Sequence, residues 1–129
     1  MNKILVEVSV GELLDKISIL EIKQGKIKNP DKLKFISNEH SILKDQLDKN
    51  IKSDEKLENL FQSLKEINAK LWVIEDDKRQ CEKDKDFTEK FIKLSRDVHF
   101  LNDDRAKIKL EINNHTGSKI KEIKEYTNY

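Results

Sequence analysis

Three glycines and one proline are all that 129 residues contain of the two residue types best suited to tight turns. Glycine enters left-handed backbone freely and proline arrives with φ already fixed, so a chain this poor in both has little material for reversing direction. A β-sandwich or barrel reverses at every strand end, whereas a few long helices joined by short connections need very few turns. The expected fold class is therefore all-α, a bundle of about four helices. The length suits one domain, large enough to bury a core and too small to divide.

Charged residues make up 40% of the chain, yet 26 Lys+Arg stand against 25 Asp+Glu. With the two signs nearly cancelled there is no overall field to draw in nucleic acid or an anionic lipid surface, and neither is expected as a partner. Cys81 is the sole cysteine, so no disulfide can form within the chain, and the reducing cytosol is the natural compartment. The opening MNKILVEVSV is interrupted at Glu7 too soon for a signal peptide, and no run approaches the roughly 18 apolar residues of a membrane span. A soluble, cytoplasmic protein without membrane contacts is expected.

Hydrophobic period and capping residues place the elements. Ile4, Val6 and Val8 alternate with other residues in a β-branched context, which predicts a short strand over residues 1–8 that needs a pairing partner. Ser9 followed by Glu12 matches a capping box and opens helix 1, residues 9–28. Asn29-Pro30 supplies a stop, a new cap and a proline at the first helical position for helix 2, residues 30–49. Ser53 is the expected cap of helix 3, residues 54–83, and Thr88 begins helix 4, residues 88–114, before Gly117. Helices 3 and 4 would form a long helical hairpin turning near Lys85. Residues 118–129 fit helix and strand spacing alike, and an extended or irregular tail near the N-terminal strand is expected.

Projected at about 3.6 residues per turn, these helices carry charge into their own apolar stripes. In helix 1, Leu13, Leu14, Ile17 and Leu20 define an arc that Glu21 and Gln24 then join. In helix 3 the stripe through Leu57, Leu60, Leu64, Asn68 and Leu71 continues as Glu75, Arg79 and Glu82. In helix 4 the face of Phe91, Ser95 and Val98 continues through Asn102, Arg105 and Lys109 to Ile112 and Asn113. Two readings follow. One is a structural ion-pair network that fixes helix register. The other is a polar cavity in which Arg79, Arg105 and Lys109 recognise an anionic or zwitterionic small molecule, with Glu21 and Glu75 orienting the cations. In an antiparallel pair Arg105 would lie nearer Asn68 than Glu75, so the polar groups would form a ladder and not one compact pocket.

Other constellations are weaker. Glu75-Asp76-Asp77 and Asp103-Asp104 suggest Mg²⁺ held between helices, as in all-helical nucleotide pyrophosphohydrolases, but Arg79 and Arg105 stand where the second pair of acids should be. His40, His99 and His115 are too dispersed for zinc, and Cys81 lies in no nucleophile motif. Trp72 reads as core packing more readily than as a stacking platform.

The stretches VSVGELLDKISILEIK (Val8 to Lys23), LWVIEDDKR (Leu71 to Arg79), NDDRAKIKLEIN (Asn102 to Asn113) and the EIKEY of the tail resemble a family of small bacterial proteins of unknown function. That family is found largely in proteobacteria and is often encoded among glycan or lipopolysaccharide genes. The resemblance covers nearly the whole chain and singles out Gly11, Glu12, Asp15, Lys16, Glu21, Lys23, Trp72, Glu75, Asp76, Arg79, Asn102, Asp103, Arg105, Lys109, Asn113 and Tyr126. Lys78, His40 and His99 depart from its pattern.

Stripe and resemblance together select Glu21, Lys23, Glu75, Asp76, Arg79, Asn102, Asp103, Arg105 and Lys109 as the candidate binding cluster. The leading expectation is a non-catalytic binding or adaptor protein, linked by the resemblance to surface-glycan metabolism, with an anionic small molecule or a protein as partner and no cofactor. The alternative is a small enzyme acting on a phosphorylated or nucleotide-sugar substrate, with Glu75 as base or Mg²⁺ ligand and Arg105 and Lys109 on phosphate. Ile19 and Ile22 point away from the main arc of helix 1, so that helix either sits centrally in the bundle or meets a second subunit, and a homodimer is expected.

Overall fold

The computed structural model describes residues 2–129 and consists of four helices: α1 (Val10–Lys26), α2 (Pro30–Asn50), α3 (Glu55–Asp84) and α4 (Glu89–Thr116). Three of the four starts have a side-chain cap. The Ser9 hydroxyl accepts from the Glu12 amide at 3.0 Å, and Asn29 Oδ1 accepts from the amides of Asp31 and Lys32 at 3.0 and 3.1 Å. Pro30 sits at the first position of α2, where its missing N–H leaves nothing unsatisfied. Asp54, not Ser53, caps α3, its Oδ1 accepting from the Leu57 amide at 2.7 Å. Lys85 (φ 56°) ends α3 and Gly117 (φ 67°) ends α4, both in the left-handed conformation that exposes the last carbonyls to capping.

The N-terminal strand is not formed. Residues 2–9 carry no regular secondary structure and no strand occurs among the described residues. Alternation supplies a strand's period but not its partner, and without a partner the backbone donors and acceptors stay in water. Ile4, Leu5 and Val6 are all strongly exposed. Residues 118–129 are likewise neither helix nor strand. They run back along α4: Lys121 bonds Asn114, Glu122 reaches Lys109, and the Tyr129 hydroxyl bonds Asp103. No helix among the described residues is long and apolar enough to cross a membrane.

Helix α1 is the centre, packed against α2, α3 and α4. Gly11 meets Asn113 while Asp15 meets Arg105, so α1 runs antiparallel to α4. Its two buried faces are accounted for inside the chain: Leu14, Ile17 and Leu20 on one side, Gly11, Asp15, Ser18 and Ile22 on the other. The doubly apolar character of α1 therefore supplies no argument for a second subunit. The apolar core of Leu14, Leu57, Leu64 and Ile112 is extended by Val10, Leu47, Ile51, Leu60, Phe61 and Ile108. It lies where the starts of α1 and α3 meet the ends of α2 and α4.

Lengths then dictate exposure. At 1.5 Å per residue α1 spans about 25 Å and α3 about 45 Å, so α1 covers only part of the α3–α4 layer. Leu57, Leu64, Asn68 and Leu71 are buried in the covered part of α3, and beyond Leu71 only Cys81 is.

The start of α1 is docked against α4 at backbone distance. The orphan amides of a helix's first turn need acceptors. Here Val10 N–H donates to the Ser118 hydroxyl at 3.2 Å and Gly11 N–H to Asn113 Oδ1 at 2.7 Å. A Cβ at position 11 would stand 2.6 Å from the Lys109 carbonyl oxygen, an atom fixed in α4, whereas one at Gly25 meets nothing within 4 Å. Gly11→Ala is expected to destabilise by about 1–3 kcal/mol through overpacking. Gly25→Ala should be neutral or stabilise by up to about 1 kcal/mol. Urea unfolding of the two variants checks the contrast.

Candidate functional site

On α1 the residues Gly11, Asp15, Ser18 and Ile22 recur at spacings of four, three and four, which places them on one face. Two small side chains there let α3 and α4 approach closely, and Asp15 is carried to the junction. Its side chain is 2% exposed. An ionised carboxylate removed from water needs both charge and hydrogen bonds to compensate its lost hydration, and it receives both. Oδ1 accepts from Asn68 Nδ2 at 2.8 Å and from Arg105 Nε at 3.0 Å. Oδ2 accepts from Arg105 Nη2 at 2.5 Å and stands 3.5 Å from Lys109 Nζ. The two bonds from Arg105 form the planar fork that guanidinium makes with carboxylate, a geometry lysine cannot supply.

The cluster extends on both sides. Asn68 Nδ2 also donates to the Ser18 hydroxyl at 2.7 Å, and that hydroxyl donates to the Asp15 carbonyl at 2.8 Å. Lys109 Nζ lies 2.7 Å from Glu12 Oε2 and 3.3 Å from Glu122 Oε2. Among the described residues no buried side-chain nitrogen or oxygen lacks a partner. Burial would raise the Asp15 pKa, but the hydrogen bonds from Arg105 and Asn68 and the charges of Arg105 and Lys109 outweigh it and hold the carboxyl below its ordinary value. Burial likewise opposes the charge on Arg105 and Lys109, and the facing carboxylates outweigh it, raising both.

A second, smaller cluster ties α1 to α2 and α3. Glu21 Oε2 lies 3.0 Å from His40 Nε2, and Oε1 accepts from Lys65 Nζ at 2.9 Å. Burial pushes Glu21 upward, and its bonds to His40 and Lys65 reverse the shift. A third contact joins α4 to the cap of α3, with His115 Nε2 at 2.8 Å from Asp54 Oδ2.

The nine residues selected from the sequence fall into separate places. Arg105 and Lys109 share Asp15, and Asn102 sits at the edge with Oδ1 3.4 Å from Arg105 Nη1. Glu21 belongs to the second cluster, and Lys23 is half-buried on α1. Asp103 holds the tail through Tyr129. Glu75 and Arg79 pair with each other at 3.7 Å along α3, with the Arg79 side chain 76% exposed, and Asp76 is exposed beside them. They are not part of the interior cluster: Glu75 and Arg79 lie seven and eleven residues beyond Asn68, about 10 and 16 Å along the axis.

The residue that organises the site, Asp15, is singled out by the resemblance alone, whereas Glu12 reads from the sequence as half of a capping box and Asn113 as the end of the α4 stripe. The available signal was the spacing of small residues around an acid, Gly11–Asp15–Ser18. Among the described residues no three of His, Cys, Asp and Glu gather as a metal-binding group.

The fold and this cluster define an all-α protein of four helices whose central helix is fixed by a buried carboxylate between an arginine and a lysine. Residues 4–129 match the model of a family described as a family of unknown function (DUF6165), and the chain belongs to that family. No curated protein and no solved structure matches it.

The pH dependence follows from the direction of the shifts. A carboxyl whose folded value is depressed contributes stability that is complete above its unfolded value, near 3.8 for Asp15, and is lost as pH falls through the folded value. Unfolding free energy should therefore decline below about pH 4. Asp15→Asn should lower the neutral-pH stability by about 3 kcal/mol, the lower end for a broken buried pair because Arg105 is partly solvated. It should also make the acid decline shallower without abolishing it, since Glu21 and Glu122 shift the same way. Urea unfolding at a series of pH values measures both effects.

Proposed function

We propose that the protein is a non-catalytic binding or adaptor protein that presents the Glu75–Asp76–Arg79 face of α3 to a partner. One observation carries this reading. The interior acids and bases are committed to one another around Asp15, while Arg79 is largely exposed and its ion pair lies within its own helix.

A catalytic acid, base or phosphate clamp must be free to meet substrate. In the Asp15 cluster, Arg105 and Lys109 are already occupied by carboxylates. An adaptor has the opposite requirement: a rigid scaffold and a charged face whose groups can exchange a weak local pair for a partner's. The exposed α3 face around Asp76 and Arg79 meets that requirement. The resemblance to proteins encoded among glycan genes supports a partner in bacterial surface-glycan metabolism and a cytoplasmic setting.

Arg79→Ala removes an exposed side chain and should change stability by no more than about 0.5 kcal/mol. Cross-linking from a photoreactive residue at position 76 in living source cells should capture a defined partner with Arg79 present and lose it in Arg79→Ala. Retention of that partner by the variant would contradict the reading. So would Mg²⁺-dependent release of phosphate or pyrophosphate from nucleotide sugars that disappears in Glu75→Gln.

A further inference from the structure

Helix α2 packs along α1 and stands away from α3 and α4, and it contributes no buried residue. Its inward positions Leu33, Ile36, His40, Leu43 and Leu47 are only half-buried. A helix seated this lightly leaves room beneath it, and a cavity of about 310 Å³ lies between its C-terminal half and the α1–α3 layer. That volume falls at the lower end of small-molecule sites, which are lined mainly by apolar side chains with a few polar groups that orient the ligand.

The lining has this division. Leu14 and Ile17 of α1 with Leu57 and Phe61 of α3 form an apolar floor, and Leu47 and Ile51 close it from the α2 side. The charged lining is acidic by three to one: Glu21, Asp48 and Glu58 against Lys44. Most of these charges are spoken for. Lys44 pairs with Asp48 at 3.2 Å within α2, and Glu21 is met by Lys65 and His40. Among the described residues Glu58 has only the Ser53 hydroxyl, 3.4 Å away, so its carboxylate is the one lining charge not engaged in an ion pair.

We propose that this cavity is a binding site for a small amphipathic amine, its apolar body lying on Leu14, Ile17 and Phe61 and its ammonium at Glu58. Burial of the apolar body supplies most of the affinity, because it leaves water for a surface already dry on one side. The ammonium at an exposed carboxylate supplies direction and sign preference. The site is remote from Arg79 and independent of the adaptor reading, so failure of either leaves the other standing.

Octylammonium and octanoate share one apolar body and carry opposite charge, and both can be titrated into the full chain below their micellar concentrations with amide chemical shifts as the readout. Octylammonium should bind at one site, shifting the amides around Ile17, Leu47 and Phe61. Octanoate should bind about two- to fivefold more weakly, and Glu58→Gln should reduce that difference. Leu47→Phe fills the space from the α2 side and should weaken octylammonium binding at least about tenfold. Ile51→Phe serves the same purpose should the first variant fail to fold. Absence of binding, equal binding of the two probes, or affinity untouched by the filling variants would each overturn the proposal.

Discussion

A carboxylate cannot stay ionised out of water unless something replaces its hydration, and the arrangement of three helices follows from how Asp15 meets that demand. Arg105 supplies the bidentate cation, Lys109 a second charge, and Asn68 the remaining donor. These come from α3 and α4, so satisfying one atom group on α1 fixes the axial position of both neighbours. Replacing such a cluster wholesale by well-packed apolar residues is often neutral or stabilising, whereas removing one member strands the rest. Its contribution is thus to register more than to net stability. A leucine-only interface between α1 and α4 could slide by a turn; one that must place Asp15 against Arg105 and Gly11 against the Lys109 carbonyl cannot. The acceptors that cap the start of α1, Asn113 and Ser118, fall into place only in that same register.

Much of the architecture is legible in local chemistry. Asn29-Pro30 marks the start of α2 because both residues act through their own backbone and nearest neighbours, and Gly117 marks the end of α4 for the same reason. The all-α class follows from the shortage of turn-forming residues. Ser9 caps α1, but the Glu12 half of the capping box is diverted: its carboxylate turns to Lys109 and Lys16. The local bond lost to a charge arriving from 97 residues away.

What was not legible depends on the neighbour. Arg105 and Arg79 break their stripes in the same way, yet one is half-buried against Asp15 and the other, paired only within its own helix, points into water. A stripe read from one helix does not say which stretch of it a neighbouring helix covers. Asp15 escaped the stripe argument for the converse reason, lying among Gly11 and Ser18 with no continuous apolar line to interrupt. Residues 2–9 have a strand's alternation and no strand to pair with.

The structure separates two kinds of charge that the sequence presents alike. One kind is internal and mutually satisfied, and gives the bundle its register. The other lies on the exposed part of α3 around Arg79 and pairs only along its own helix. The most direct measurement of the first is a double-mutant cycle in urea between Asp15→Leu and Arg105→Met. Each single substitution strands the opposite charge, so the account predicts that the double variant recovers much of the loss, with a coupling of about 2 kcal/mol or more. A coupling below about 0.5 kcal/mol, the range of independent sites, would contradict it.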